Sequence, residues 1–324
     1  MNDCLISRTS TPLTSSLRRG KRISRFFVPA LCLARDLMML SAKVMLAVIA
    51  ASVRLVVPPW KKRLLGETVL ITGAGHGIGR ELAVQLAALG CIVVCWDCDA
   101  NANRETISFI ARDGGEAHGF MVDVSKYSMV QEAAQLMKQA GIPEISILIN
   151  SAAILMHKPF IEHKDDDIER IFHVNVLSQF WTIHTFLPTM LHNNKGHIVS
   201  MSSSCGFYGV AYKVPYCSSK FALKGLMEGL CEELRATKKS SNIQFTTIYP
   251  FYVDTDLAKD PKFRFPYLFS AVPAKYAASE VIRAIQRNYE ECSIPRCLSY
   301  LNAVNRILPA KAMRLILDFL GDVK

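Results

Sequence analysis

The chain has 324 residues, half of them hydrophobic, with 38 Lys and Arg against 28 acids, which suffices for one large core and excludes a minimal, staple-dependent fold. Residues 1–63 hold twelve Lys and Arg against Asp3 and Asp36, a net of +10, so the rest of the chain sums to zero. The basic excess therefore describes the amino-terminal segment, and nothing supports a nucleic-acid surface on the folded part.

In chain order, residues 1–63 read as a basic, hydrophobic anchor or targeting segment, 64–290 as the folded domain and 291–324 as an amphipathic tail. The first segment is most apolar from Phe26 to Val57, but Arg35, Asp36, Lys43 and Arg54 leave no 18-residue uncharged span. A membrane-embedded anchor or an interfacial hairpin fits best, with the long basic side chains reaching the headgroups. The Arg- and Ser-rich stretch from Arg8 to Arg25 also suits a mitochondrial presequence, and a helix packed on the domain is a third reading. The ten cysteines are scattered, so a reducing compartment is expected rather than a disulfide framework. Cys91, Cys95 and Cys98 invite a metal reading, but Cys91–Trp96 reads as a buried strand in which cysteine is a small hydrophobe, and the histidines lack metal-site spacing, so no metal is expected.

Thr68–Thr72 is a β-branched run followed by Gly73-Ala74-Gly75-His76-Gly77-Ile78-Gly79 and a helical pattern from Glu81 to Leu89. Strand, glycine turn and helix is the context of a dinucleotide site, in which glycines let the backbone approach a pyrophosphate at the helix N-terminus. A second strand, Ile92 to Trp96, ends in Asp97, whose carboxylate can accept from ribose hydroxyls and would repel a 2′-phosphate. NAD is therefore expected over NADP; Asp99 is the competing acid. The strand Phe120–Val124 places Asp123 where it could meet an adenine amino group, unless it is only a solvated strand-end acid. Ile145–Ala153 reads as a buried strand running through Asn150 into small residues. This alternation predicts an α/β fold, a single doubly wound parallel sheet with helices on both faces.

Gly196–Ser203 reads as a strand ending in serines, and Tyr216 and Lys220 stand at i and i+4, one turn apart on one helical face. An ammonium near a phenol favours the phenolate, which suits a proton exchange with an alcohol or ketone; Ser203 could hydrogen-bond the same oxygen. Tyr-x-x-x-Lys alone also occurs by chance in many helices. After Thr255 the chain turns aromatic at Phe263, Phe265, Tyr267 and Phe269, a pattern for a loop over an apolar pocket or for packing and membrane contact. An amphipathic helix is expected from Ser279 to Tyr289, and the tail from Leu298 to Leu320 could lie on a bilayer or cover a subunit interface.

Taken together, Thr72-Gly73-x-x-x-Gly77-x-Gly79, Asn150-x-Ala152, Asn175, Ser203, Tyr216-x-x-x-Lys220 and Pro250 with Thr255 resemble the short-chain dehydrogenase/reductase family from about residue 65 to 290. The resemblance implies Tyr216 as general acid/base, Lys220 as the residue that holds the nicotinamide ribose and lowers the Tyr216 pKa, Ser203 on the substrate oxygen and Asn175 on a relay water. It places Gly73, Gly77, Ile78, Gly79, Asp97, Asp123 and Asn150 on the cofactor, with Pro250, Val253 and Thr255 at its nicotinamide end. Ser151 and Ala153 depart from the family's Asn-Asn-Ala-Gly run. The chain looks most like the membrane-associated branch with retinol and 17β-hydroxysteroid dehydrogenases of endoplasmic reticulum and lipid droplets. That branch implies a retinoid, steroid or related lipid alcohol as substrate, a membrane or lipid-droplet surface as partner, and a homodimer. A non-catalytic scaffold that keeps the nucleotide fold is the rival reading.

Overall fold

The computed structural model describes residues 14–237, 242–255, 257 and 270–320. It divides into two compact units, Met1–Pro59 and Trp60–Lys324.

In the first unit α1 (Thr14–Val56) is one uninterrupted helix. Its stretch Leu31–Arg54, 24 residues, is long and apolar enough to cross a bilayer, at about 36 Å for ~1.5 Å per residue. The hairpin alternative does not form, because no Gly or Pro between Leu31 and Val57 supplies a turn. Arg35 pairs with the neighbouring Asp36 at 2.9 Å, and the Ser41 and Ser52 hydroxyls donate back to the Leu37 and Val48 carbonyls.

The second unit is built on β1 (Thr68–Thr72), β2 (Ile92–Asp97), β3 (Glu116–Met121), β4 (Ile147–Asn150), β5 (Gly196–Met201) and β6 (Ile243–Pro250), with a two-stranded ribbon of β7 (Val253–Asp254) and β8 (Val272–Pro273) and a last strand β9 (Glu291–Ile294). The seven long-sheet strands run parallel in the order β3-β2-β1-β4-β5-β6-β9. The helices are α2 (Gly77–Ala88), α3 (Ala100–Arg112), α4 (Tyr127–Gln139), α5 (Asp165–Phe172), α6 (Ser178–His192), α7 (Val214–Thr237), α8 (Ala274–Gln286), α9 (Cys297–Ile307) and α10 (Ala310–Leu320).

Both faces of the sheet are covered, so its central strands β1, β2 and β4 are largely apolar and alternate in which layer they feed, whereas the edge strand β3 is half-exposed. Val69 and Ile71 of β1, Val93 and Cys95 of β2 and Ile147 and Ile149 of β4 pack against Leu82 and Leu86 of α2 and Val281 and Ile285 of α8. Leu70, Val94, Trp96 and Leu148 point the other way, onto Val130 of α4, Ile183 of α6 and Met227 of α7. Strand order reverses between β1 and β4, and at that switch point the carboxyl ends of the strands open a crevice.

Several boundaries differ from the expectation. Helix α2 begins four residues early, at Gly77, because the glycines form its first turn. Helix α8 begins at Ala274, ahead of Ser279. Strand β3 stops at Met121, which leaves Asp123 beyond its end. The aromatic run Phe263, Phe265, Tyr267 and Phe269 lies outside the described residues.

At the amino ends of the strands, opposite the crevice, a buried polar chain ties down the domain entry. Lys62 Nζ lies 2.8 Å from His197 Nδ1, His197 Nε2 lies 2.7 Å from Thr246 Oγ1, and Thr246 Oγ1 donates to the Tyr289 carbonyl at 2.6 Å. Burial holds His197 well below its ordinary value and lowers Lys62 to about 8.

Candidate active site

The glycine turn at the end of β1 is shaped by sterics. Gly73 has φ 71° and Gly77 φ 50°, the left-handed region that favours glycine. A methyl on Gly79 would lie 1.9 Å from the Gly73 carbonyl oxygen, and one on Gly77 would lie 3.0 Å from Thr255 Cγ2. At the start of α2, His76 makes no side-chain cap, so the first-turn N–H groups face the crevice without a capping side chain. Thr72 Oγ1 accepts from the Ser151 and Ala152 amides at 3.0 and 3.2 Å, which locks the end of β4 onto β1.

Asp97, buried at the end of β2, accepts from the Gly75 amide at 2.8 Å and from the Asp99 amide at 2.8 Å. It thereby holds the glycine turn while lining the crevice. Asp99 instead caps α3, accepting from the Asn101 and Ala102 amides at 2.9 and 3.1 Å, and those bonds keep its carboxyl below the usual range. Of the two acids, only Asp97 lines the crevice. Arg80 is occupied: it donates to the Gly75 carbonyl and Thr106 and pairs with Glu105 at 3.0 Å. Asp123 also lines the crevice; partial burial raises its carboxyl, but bonds from the Ser125 hydroxyl and amide outweigh that and hold it low.

The crevice measures about 370 Å³ and is lined by Gly73, Gly77, Ile78, Gly79, Asp97 and Asp123 among others. A second cavity of about 120 Å³ shares Ile78, Ser151, Ala153, Thr255 and Leu257 with it and continues to Ser203, Tyr216, Lys220, Pro250 and Val253. The residues fit a dinucleotide. The glycine cradle would lose its room to a Cβ; Asn150, whose Oδ1 accepts from Thr182, is buried and is not among the residues that line either cavity.

Tyr216 and Lys220 sit in the first two turns of α7, both buried. The Lys220 ammonium stands 5.5 Å from the Tyr216 ring centroid and donates to the Met201 carbonyl at 2.8 Å. Burial pushes the Tyr216 phenol above its ordinary value, opposed by a hydrogen bond with Ser203, and lowers Lys220 to about 8. The phenol thus shifts opposite to the expected lowering, because desolvation disfavours the charged form of each group. Ser203, at the end of β5, accepts from the Cys205 amide at 3.2 Å.

Asn175 lies in a π-type turn, His173–Leu177, between α5 and α6. Its side chain is fully engaged: Oδ1 accepts from the Ile154 amide at 2.8 Å, and Nδ2 donates to the Ile154 carbonyl at 3.0 Å and to Ser219 Oγ at 3.1 Å. Ser219 Oγ donates on to the Tyr216 carbonyl at 2.7 Å. The side chain thus braces the post-β4 segment against α7.

Sequence reasoning missed Gly75, whose amide serves Asp97, and also Lys213, Tyr208, Tyr252 and Cys205, which line the smaller cavity beside Tyr216. The Gly73–Gly79 turn pointed at Gly75; no spacing pointed at the other four.

Strand order and the paired cavities at the switch point define a doubly wound protein of the nucleotide-binding class. The sequence pattern of the short chain dehydrogenase family matches residues 67–262. Epidermal retinol dehydrogenase 2 of Mus musculus is 38% identical over 290 residues, covering 89% of this chain and 93% of that protein. Estradiol 17-beta-dehydrogenase 11 of Mus musculus is 34% identical, covering 87% of this chain and 93% of its own, and 17-beta-hydroxysteroid dehydrogenase 13 of Homo sapiens is 32% identical, covering 87% and 92%. A short-chain dehydrogenase/reductase from Burkholderia phymatum, solved in complex with NAD, shares the fold at a TM-score of 0.67 and 24% identity over 75% of this chain and 94% of that one. A metagenomic short-chain oxidoreductase solved with NADP has a TM-score of 0.58 at 25% identity, over 71% and 94%. The chain belongs to the short-chain dehydrogenase/reductase family and is an oxidoreductase.

Proposed function

We propose that the protein interconverts a lipophilic alcohol, a retinoid, steroid or related lipid, and its carbonyl compound with NAD, and that Tyr216 is the general acid/base. The observation that carries the reading is the buried Tyr216, hydrogen-bonded with Ser203 and one turn from Lys220, on a cavity continuous with the glycine-lined crevice. When bound, the nicotinamide supplies the hydride-exchanging carbon and, oxidised, a positive charge. Tyr216 takes the hydroxyl proton during oxidation and returns it during reduction. Ser203 orients the substrate oxygen toward Tyr216, and Lys220 holds ribose hydroxyls while its charge favours the phenolate. Asn175 positions α7, and its main chain is what remains to hold a relay water. Gly73, Gly77, Ile78 and Gly79 receive the pyrophosphate, Asp97 the adenosine ribose, Asp123 the adenine, and Asn150, Pro250, Val253 and Thr255 the nicotinamide end. Asp97 beside the occupied Arg80 favours NAD over NADP. The retinol and hydroxysteroid dehydrogenases named above support the substrate class.

The helix Leu31–Arg54 supports a membrane anchor. With the exposed Leu301, Val304, Leu315 and Phe319 of α9 and α10, it favours endoplasmic reticulum or lipid droplet over the mitochondrion. Exposed Phe180 on α6 and Phe221 on α7 support a homodimer through those helices.

The test is NADH formation by the membrane-bound full-length protein with retinols, hydroxysteroids, long-chain alcohols and long-chain hydroxy acids, alongside Tyr216→Phe. Turnover of one class that drops by about 10²–10⁴-fold in the Phe variant supports the reading. Turnover undiminished by Tyr216→Phe, or none despite tight NAD binding, overturns it.

A further inference from the structure

Lys213 lies one residue before α7 and is only 8% exposed, yet it lines the smaller cavity together with Tyr216. Its Nζ donates to the Tyr252 hydroxyl at 3.0 Å and sits 4.8 Å from the centroid of that ring. Among the described residues it forms no ion pair. Among the described residues, the titratable groups around it are the phenols of Tyr208, Tyr216 and Tyr252, the thiols of Cys205 and Cys217 and the ammonium of Lys220; none is a carboxylate. The remaining wall mixes apolar Leu155, Met201, Val210 and Val253 with Ser202, Ser203 and Ser204. A buried cation without a counter-charge is costly, and among the described residues only the Tyr252 hydroxyl accepts from this ammonium. The catalytic tasks proposed above do not use it.

We propose that Lys213, steadied by Tyr252, is a specificity residue that receives a carboxylate borne by the substrate close to the reacting carbon, so that the preferred substrate is a long-chain hydroxy acid rather than a neutral lipid alcohol. This rests on the alcohol–carbonyl reading of the same site. The closeness follows from the shared wall: Lys213 and Tyr216 both line one cavity of about 120 Å³. A carboxylate a few bonds from the hydroxyl-bearing carbon then meets Lys213 when the hydroxyl meets Tyr216.

The experiment compares, on membrane-bound full-length protein, kcat/KM for a long-chain 3-hydroxy fatty acid, its methyl ester and a secondary alcohol of equal length. Wild type, Lys213→Arg and Lys213→Met are each scored as the ratio within one variant. A charge-assisted hydrogen bond predicts an acid preference of about 10- to 100-fold, kept in Lys213→Arg and falling to about one in Lys213→Met. In parallel, binding of the 3-hydroxy acid to the NADH complex is followed by nicotinamide fluorescence, a readout that needs no turnover and weakens by the same factor in Lys213→Met. A wild-type ratio near one, or a preference that survives Lys213→Met in both readouts, overturns the proposal. Binding that depends on Lys213 without any Tyr216-dependent turnover keeps the carboxylate site and sinks the dehydrogenase reading instead.

Discussion

Lys220 is 1% exposed and its value of about 8 lies below the ordinary 10.5, with burial as the cause. Between those two values the unfolded chain binds the extra proton, so this residue makes stability rise with pH across that window; below about 8 both states are protonated and the penalty is constant. Lys220→Met is therefore expected to gain about 1–3 kcal/mol of stability at pH 7 in urea melts, while activity falls with the loss of the charge beside Tyr216. The same pair governs the pH–rate profile. Because burial raises the Tyr216 phenol, oxidation is expected to climb with pH as the phenolate forms. Lys220→Met should lower kcat/KM for oxidation between about pH 6 and 8, where Lys220 carries its charge, and remove the inflection near 8 that its titration imposes. The i, i+4 spacing made the pair legible in the sequence, but the sign of the tyrosine shift was not, because desolvation depends on everything packed around the ring.

The glycine turn and the strand end beside it work as one element. Gly79→Ala places a methyl against the Gly73 carbonyl oxygen, 1.9 Å away, a backbone clash that no rotamer relieves. It should cost more than about 2 kcal/mol and abolish NAD binding, seen as loss of the thermal shift that NAD confers. Asp97→Ser leaves the Gly75 amide with a weaker acceptor and removes the charge opposed to a 2′-phosphate. The ratio of kcat/KM for NADP over NAD should rise by about tenfold or more; an unchanged ratio would remove Asp97 from the ribose site. At the other end of the strands, His197 is held neutral by burial. Below about pH 6.5 the unfolded chain takes up a proton that the folded chain refuses, so stability falls as pH drops. Melts between pH 7 and 5 should show a slope approaching about 1.4 kcal/mol per unit, flattened in His197→Gln. The strand run around His197 was visible in the sequence; its partner Lys62, 135 residues away, was not.

The whole molecule pairs a helix of membrane-crossing length with a domain that has its own two-layer core. Residues 60–324 are therefore expected to fold without residues 1–59, with a far-ultraviolet spectrum and melt of a packed α/β domain, while liposome flotation drops. Polar substitution of Leu301, Val304, Leu315 and Phe319 should lower the remaining flotation further if α9 and α10 rest on lipid. What the sequence alone determined is whatever local periodicity and local sterics dictate: the alternation of strands and helices, the glycine turn, the Tyr216–Lys220 spacing and the apolar leader. Tertiary structure decided what depends on distant residues meeting. It assigned Asp97 rather than Asp99 to the crevice because Asp99 is used as a helix cap, turned Asn175 into a brace for α7, and brought Lys213 and Tyr252, 39 residues apart, into the wall beside Tyr216. Sequence pattern carries the period of an element, whereas burial and pairing of charge arise only when several elements close on the same space.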